Sequence, residues 1–433
     1  MLTKAKLILS NREIVLKILV TFVILLVFKA GTYVPVPLID VTRVKAIIQN
    51  REDFLYVLNA FSGGGLLNFS ILALGISPYI TSSIVIQMLQ IVVPKFKEWA
   101  ESGEAGKQKL NRWTRYLTIV LAMLQALLII FSLESKPENI LQNSLIHNVD
   151  YYWIFYLYMA LVITAGSAFT MWLADLITRH GVGNGSSMII SAGIVSSIPS
   201  MFTIIGGTYL GDNFTYGHMF LFIFIVILYL ALIAGVVWFE GAVRKVPVQY
   251  ANRQAGQQGS EIPIKLNSAS VIPVIFASTI LSIPLTITGA LGVNTNSTSG
   301  FWMDQIFSTQ QPIGIALYCI FIIFFSFFYS FMQVDPDKIA ENLEKQGAFI
   351  PGYRPGEDIK IQISKMLFRI TLISSTYLVI LAMIPIIISK IFSFGTSVTI
   401  GGTSIIIIVG VAIETLRQIE TQAETKDYQG FLD

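Results

Sequence analysis

An all-α membrane protein with ten transmembrane helices is the fold class this sequence predicts, and three observations predict it. Hydrophobic residues make up 54% of the 433 and charged residues 13%. With a mean hydropathy of +0.68, this is not the balance of a water-exposed chain. Ten segments are apolar over about the 20 residues that a helix needs to cross roughly 30 Å of hydrocarbon, the tenth being the shortest. With the N-terminus inside, alternate loops hold 22 of the lysines and arginines and the opposite loops hold 5. That asymmetry orients the chain with both termini cytoplasmic.

The spans are expected near 16–34, 76–93, 116–133, 152–176, 186–205, 219–239, 269–291, 313–332, 366–388 and 399–413. Span one follows Lys4, Lys6 and Arg12 with Lys17 at its start, but Tyr33-Val34-Pro35-Val36-Pro37 is no small-residue cleavage site, so it stays as a span. Lys29, in its outer third, is expected to snorkel to the interface. Residues 61–74 are apolar but too short to cross, and Gly63, Gly64 and Gly65 weaken any helix there. They read as a short helix folded part-way into the membrane from outside, or as an amphipathic helix on the outer surface. Span two carries Ile80, Ile84 and Met88 at helical spacing, a stripe that suits ordinary packing or a pore wall. The glycine-rich 181–185 joins two spans with no strand before it, which predicts a tight inner turn and not a phosphate loop. Pro273 and Pro284 bend span seven, and Gly401-Gly402 opens span ten.

Two inner loops, 240–267 and 333–365, are long for a compact bundle. The second exposes Tyr353 and Arg354 between Pro351 and Pro355, a rigid knob that either grips a soluble partner or is merely solvated. The chain divides into a cytoplasmic N-terminus at 1–15, halves of five spans at 16–205 and 206–413, and a cytoplasmic tail at 414–433.

Most chemistry is excluded. One cysteine, Cys319, and three scattered histidines, His147, His180 and His218, build neither a disulfide framework nor a metal centre. A net charge of +3 suggests no nucleic-acid site, and no cofactor motif stands up. The acids nearest the spans, Asp175, Glu240 and Glu414, fall at their cytoplasmic ends. No mid-membrane relay for a coupling ion is visible, which disfavours a ten-span secondary transporter or lipid flippase.

Six pieces in order resemble the SecY family of protein-secretion channels, nearly end to end. They are FKAGTYVPVP at 28–37, FSGGGLLNFSILALGISPYITSSIVIQML at 61–89, GVGNGSS at 181–187, VIPVIFAS at 271–278, AFIPGYRPGE at 348–357 and GGTSIIII at 401–408. The resemblance implies two pseudo-symmetric inverted halves around an hourglass pore in a bacterial inner membrane. The pore would pass unfolded secretory precursors and open sideways between spans two and seven to release transmembrane segments into lipid.

The family's pore ring falls on Ile80, Ile84, Ile190, Ile275 and Ile407, with Ser186 where isoleucine is usual. Its plug corresponds to 61–74, including Phe61, Gly63, Gly64, Gly65, Leu66, Leu67, Asn68, Phe69, Ile71 and Leu72. Its inner-loop contact arginine is Arg354, beside Tyr353. Gln257-Gln258 replace the family's basic pair in the first long loop, which leaves partner contacts there to Arg244, Lys245 and Arg253. The implied partners are a SecA motor ATPase, a ribosome, small SecE-like and SecG-like subunits, precursors with signal sequences, and the bilayer. No enzymatic activity is expected.

Overall fold

The computed structural model describes residues 11–37, 39–49, 59, 62–134, 152–199, 203, 206–207, 216–250, 260–291, 298–354, 356–391 and 396–429. In chain order its elements are α1 (Arg12–Gly31), α2 (Val41–Gln49), α3 (Ser77–Val92), α4 (Pro94–Glu101), α5 (Gly103–Glu134), α6 (Tyr152–His180), α7 (Gly185–Val195) and α8 (Tyr216–Gly241). There follow β1 (Val243–Tyr250), β2 (Ser260–Lys265), α9 (Ile272–Ala290), α10 (Thr298–Phe307), α11 (Pro312–Gln333), α12 (Pro336–Lys345), β3 (Ala348–Phe349), α13 (Glu357–Ile391) and α14 (Thr396–Gln429).

All ten expected spans fall on helices: α1, α3, α5, α6, α7, α8, α9, α11, α13 and α14. Among the described residues, six of these are long and apolar enough to cross a membrane alone, namely α1, α5, α6, α8, α11 and α13. Helix α3 qualifies only with α4, and the pair is bent by 100°. The bend falls at Val93, whose extended backbone (φ −103°, ψ 114°) precedes Pro94, the conformation a following proline imposes. Helix α14 runs on through the predicted tail to Gln429, so the described part of that tail is helical.

Helix ends follow local chemistry. The Asn11 and Asn184 carboxamides accept from the Glu13 and Ser186 amides and start α1 and α7, and Asp335 caps α12 ahead of Pro336. The turn before α7 is the expected tight one: Gly183 has φ +84°, and a Cβ at Gly185 would lie 1.8 Å from the Ala174 carbonyl.

The helices of the first half, α1 to α7, and those of the second, α8 to α14, meet most extensively along two seams. On one side α9 packs against α3 and α5; on the other α14 packs against α7. The large central core lies between these seams and draws Ile24 and Phe28 from α1, Ile177 from α6, Phe325 from α11 and Leu378 from α13.

The two long inner loops are not separate. Strands β1 and β2 form an antiparallel hairpin in register Val243↔Lys265 to Val248↔Ser260, and β3 of the second loop adds to the far edge of β1 through Gln249↔Phe349 and Tyr250↔Ala348. Val246 and Val248 alternate inward while Arg244 and Lys245 stay exposed, the period-two pattern of a half-buried strand. The sheet has its own core with Ile264, Leu343, Ile350, Ile359 and Ile363.

Candidate functional site

Five of the six ring candidates converge. Ile80 and Ile84 on α3, Ile190 on α7, Ile275 on α9 and Ile407 on α14 are 3% to 7% exposed and share one apolar cluster. Their four helices are among the five that line the two seams, α5 being the fifth, so these residues sit where the halves meet. Met88, last of the α3 stripe, packs against it. The small polar residues nearby bond within their own helices: Thr81 donates to the Ser77 carbonyl at 3.1 Å, Ser82 to that of Pro78 at 2.8 Å, and Thr279 to that of Ile275 at 2.8 Å. Bonds to a carbonyl four residues back use the single donor of each hydroxyl within its own helix. Ser186 is engaged otherwise, donating to the Asn184 carboxamide oxygen at 2.8 Å one turn before Ile190.

Residues 62–76 are a succession of turns with one isolated bridge, not the short helix expected. The cause is local backbone geometry. Gly63, Gly64 and Gly75 have φ of +68°, +86° and +54°, and Phe69 is left-handed at +41°, conformations that interrupt a right-handed helix. The segment is sewn to the chain after α1: Val36 N–H donates to the Phe69 carbonyl and Ile71 N–H to the Val34 carbonyl, both at 2.9 Å, and the Asn68 carboxamide donates to the Thr32 carbonyl at 3.2 Å.

This segment is buried, which overturns the surface-helix reading. Leu66, Phe69 and Leu72 are at most 2% exposed. Leu72 and Ile76 belong to the cluster that holds the ring isoleucines, whereas Leu66, Phe69, Ala73 and Leu74 pack with Val36, Ala126 and Ile163 in a second core. Glycines on the neighbouring walls permit the close fit. A Cβ at Gly166 of α6 would lie 1.9 Å from the Ile71 carbonyl oxygen, and one at Gly31 would lie 2.6 Å from Leu72 Cδ1. Phe61 lies outside the described residues.

Lys29 does not snorkel. Its Nζ donates to the Gly63 carbonyl and the Ser196 hydroxyl, both at 2.9 Å, and sits 5.1 Å from the Tyr33 ring centroid. Partners 34 and 167 residues away in sequence left no local signal of this. Two of the three span-end acids are held as well. Asp175 pairs with Arg115, and buried Glu240 accepts from the Asn267 carboxamide at 2.6 Å.

On the loop face, Tyr353 and Arg354 are exposed at a turn in which Gly352 and Gly356 take φ of +90° and +97°. Arg244 and Lys245 are exposed on β1, the latter paired with Glu261 at 2.9 Å. The sheet places both sets on one folded unit. Arg253, Gln257 and Gln258 lie outside the described residues.

A family model described as SecY matches residues 70–416. The chain belongs to the SecY family. The protein translocase subunit SecY of Bacillus subtilis (strain 168) is 43% identical over 425 residues, covering 96% of each chain. That of Staphylococcus carnosus (strain TM300) is 42% identical, covering 98% of this chain and 97% of its own. Among solved structures, one described as a protein conducting channel matches with TM-score 0.62 and 18% identity, over 94% of this chain and 92% of that one. Sec61 in the canine ribosome-channel complex matches with TM-score 0.60, 18% identity and the same coverage. The fold is therefore the ten-span, multi-pass membrane fold of SecY and Sec61, and the relatives are translocase subunits, not solute transporters.

Proposed function

We propose that this chain is the protein-conducting channel of a bacterial secretory translocon, passing unfolded polypeptides across the cell membrane. The observation that carries this reading is the placement of Ile80, Ile84, Ile190, Ile275 and Ile407, on four of the five seam helices, in one buried apolar cluster that also holds Leu72 of the folded-in segment. Branched apolar side chains can close around an extended chain of any sequence without offering it specific hydrogen bonds, while a dewetted constriction resists ions. Residues 61–74 act as plug. Ser186, on the same helix one turn from Ile190, faces the chain's path as the one polar member of the ring.

The seam of α3 and α9 serves as the sideways gate. A hydrophobic signal sequence parts it and enters lipid, gaining about 0.8 kcal/mol per buried methylene. The channel does no covalent chemistry, and force is supplied from outside. A SecA-type motor or a translating ribosome docks on the loop sheet through Arg354, Tyr353, Arg244, Lys245 and Arg253. SecE-like and SecG-like subunits brace the halves, and both termini are cytoplasmic.

The test is translocation itself. Proteoliposomes that hold this chain with its small subunits and motor should render a signal-bearing precursor protease-resistant, with ATP required and a signal-less precursor left outside. Uptake of a small solute without protection of the precursor would refute the reading. Cysteines at Lys107 and Gln346, in a Cys319→Ser background, should be shielded in sealed cells from an impermeant thiol reagent that labels one at Lys45.

A further inference from the structure

Lys29 is a cation within a membrane-spanning helix, and among the described residues its ammonium bonds one group on the proposed plug and one on the channel wall. It stands in the last turn of α1, where the helix dipole favours positive charge. Its Nζ bonds the Gly63 carbonyl, at the start of the folded-in segment, and the Ser196 hydroxyl, which caps α7 and itself donates to the Gly193 carbonyl at 2.6 Å. Tyr33 covers its face at 5.1 Å. The Gly63 backbone can come this close because it lacks a Cβ, which would stand 3.0 Å from Gly193 Cα, and its left-handed φ of +68° is one that glycine adopts without strain.

We propose that Lys29 is a positioning residue for the plug, a latch that ties Gly63 to Ser196 and so favours the sealed state. This rests on the reading of 61–74 as plug. A half-buried ammonium needs acceptors, and bonds to a charged donor are stronger than neutral ones. When the segment swings away, Lys29 loses the Gly63 carbonyl, so the closed state alone gains the bond and the equilibrium shifts towards it. The hydrophobic contacts of Leu66, Phe69 and Leu72 hold the middle of the segment; Lys29 holds its leading edge. Neither the apolar pattern nor the three glycines gives 61–74 a fixed starting point, and Lys29 supplies one.

The experiment measures the ion conductance of the idle, complete complex in planar bilayers, beside the passage of precursors with weakened signal sequences. Lys29→Met, which keeps the stem and removes the donor, should raise conductance about tenfold, the effect of losing one charge-assisted bond in the closed state only. Lys29→Arg should restore most of the seal, and Ser196→Ala, which leaves α1 untouched, should leak to an intermediate degree. In a channel that lacks 66–71, Lys29→Met should add little, because Gly63 is still tied to the wall but no longer carries the sealing residues with it.

If deletion of 66–71 leaks and Lys29→Met seals like the parent, the latch is wrong while the plug stands. A deletion that does not leak overturns both. An equal fold-increase in leakage on Lys29→Met with and without 66–71 would make Lys29 a general packing residue and also sink the proposal. Should Lys29→Met fail to accumulate, Ser196→Ala decides, and a sealed Ser196→Ala channel counts against the latch.

Discussion

The folded-in segment and the loop sheet are both short irregular stretches in sequence, yet they are built in opposite ways. The sheet unit is held by strand pairing across β2, β1 and β3 and by a private core around Leu343, Ile350 and Ile359. The segment at 62–76 has one bridge, a chain of turns and glycine-lined contacts, and divides its apolar side chains between two cores that belong to the helices. A docking platform must keep its shape under load, which paired strands provide. A seal that has to leave its seat is better held by contacts that break singly than by a cooperative ladder.

The sharpest way to break that comparison is to remove the proposed seal. Deleting 66–71 removes Leu66 and Phe69 from the second core and Ile71 from the edge of the first, and should give the largest leak in planar bilayers, while motor affinity for the loop sheet stays at the parental value. An unchanged conductance, with the protein inserted, would mean that the segment is structural. Next in size, Ile84→Asn and Ile407→Asn put an amide into the dry cluster, where an unsatisfied polar group costs about 1–3 kcal/mol in the closed state. Both should conduct more and pass weakened signals, and a loss of translocation with no leak would point to a site that binds its cargo.

A smaller effect is expected of Gly166→Ala. Its methyl would sit 1.9 Å from the Ile71 carbonyl, so the segment must shift and the seal should loosen, less than on deletion because Leu66 and Phe69 keep their core. Parental conductance would show that the close approach is not needed. On the other region, Arg354→Glu should leave conductance untouched and weaken motor binding by about 2 kcal/mol if the exposed arginine is a hot spot. Unaltered motor affinity would move the docking site elsewhere on the sheet, with Arg244 next to test.

The spans were the legible part of the fold, since twenty apolar residues have one solution in lipid. The stripe of Ile80, Ile84 and Met88 was legible too, but its partners Ile190, Ile275 and Ile407 became candidates only through family resemblance, because nothing local says which isoleucine meets which. Two features escaped for physical reasons. The apolar run at 61–74 looked helical, and the left-handed φ at Phe69 and at the glycines makes its described part, 62–74, a string of turns. The strands were hidden because β1 contains Pro247 and β3 is two residues long, so the pairing of 249–250 with 348–349 depends on two loops that lie far apart in sequence. The period-two burial of Val246 and Val248 was the signal available.

The central claim is that a polypeptide passes through the isoleucine cluster, and crosslinking a stalled precursor tests it most directly. In a Cys319→Ser background, a single cysteine at Ile84 or Ile407 should form a disulfide with a cysteine in a precursor arrested half-way, whereas one at Phe22, 62% exposed on the outer face of α1, should not. Crosslinks from Phe22 and none from either ring position would contradict the account.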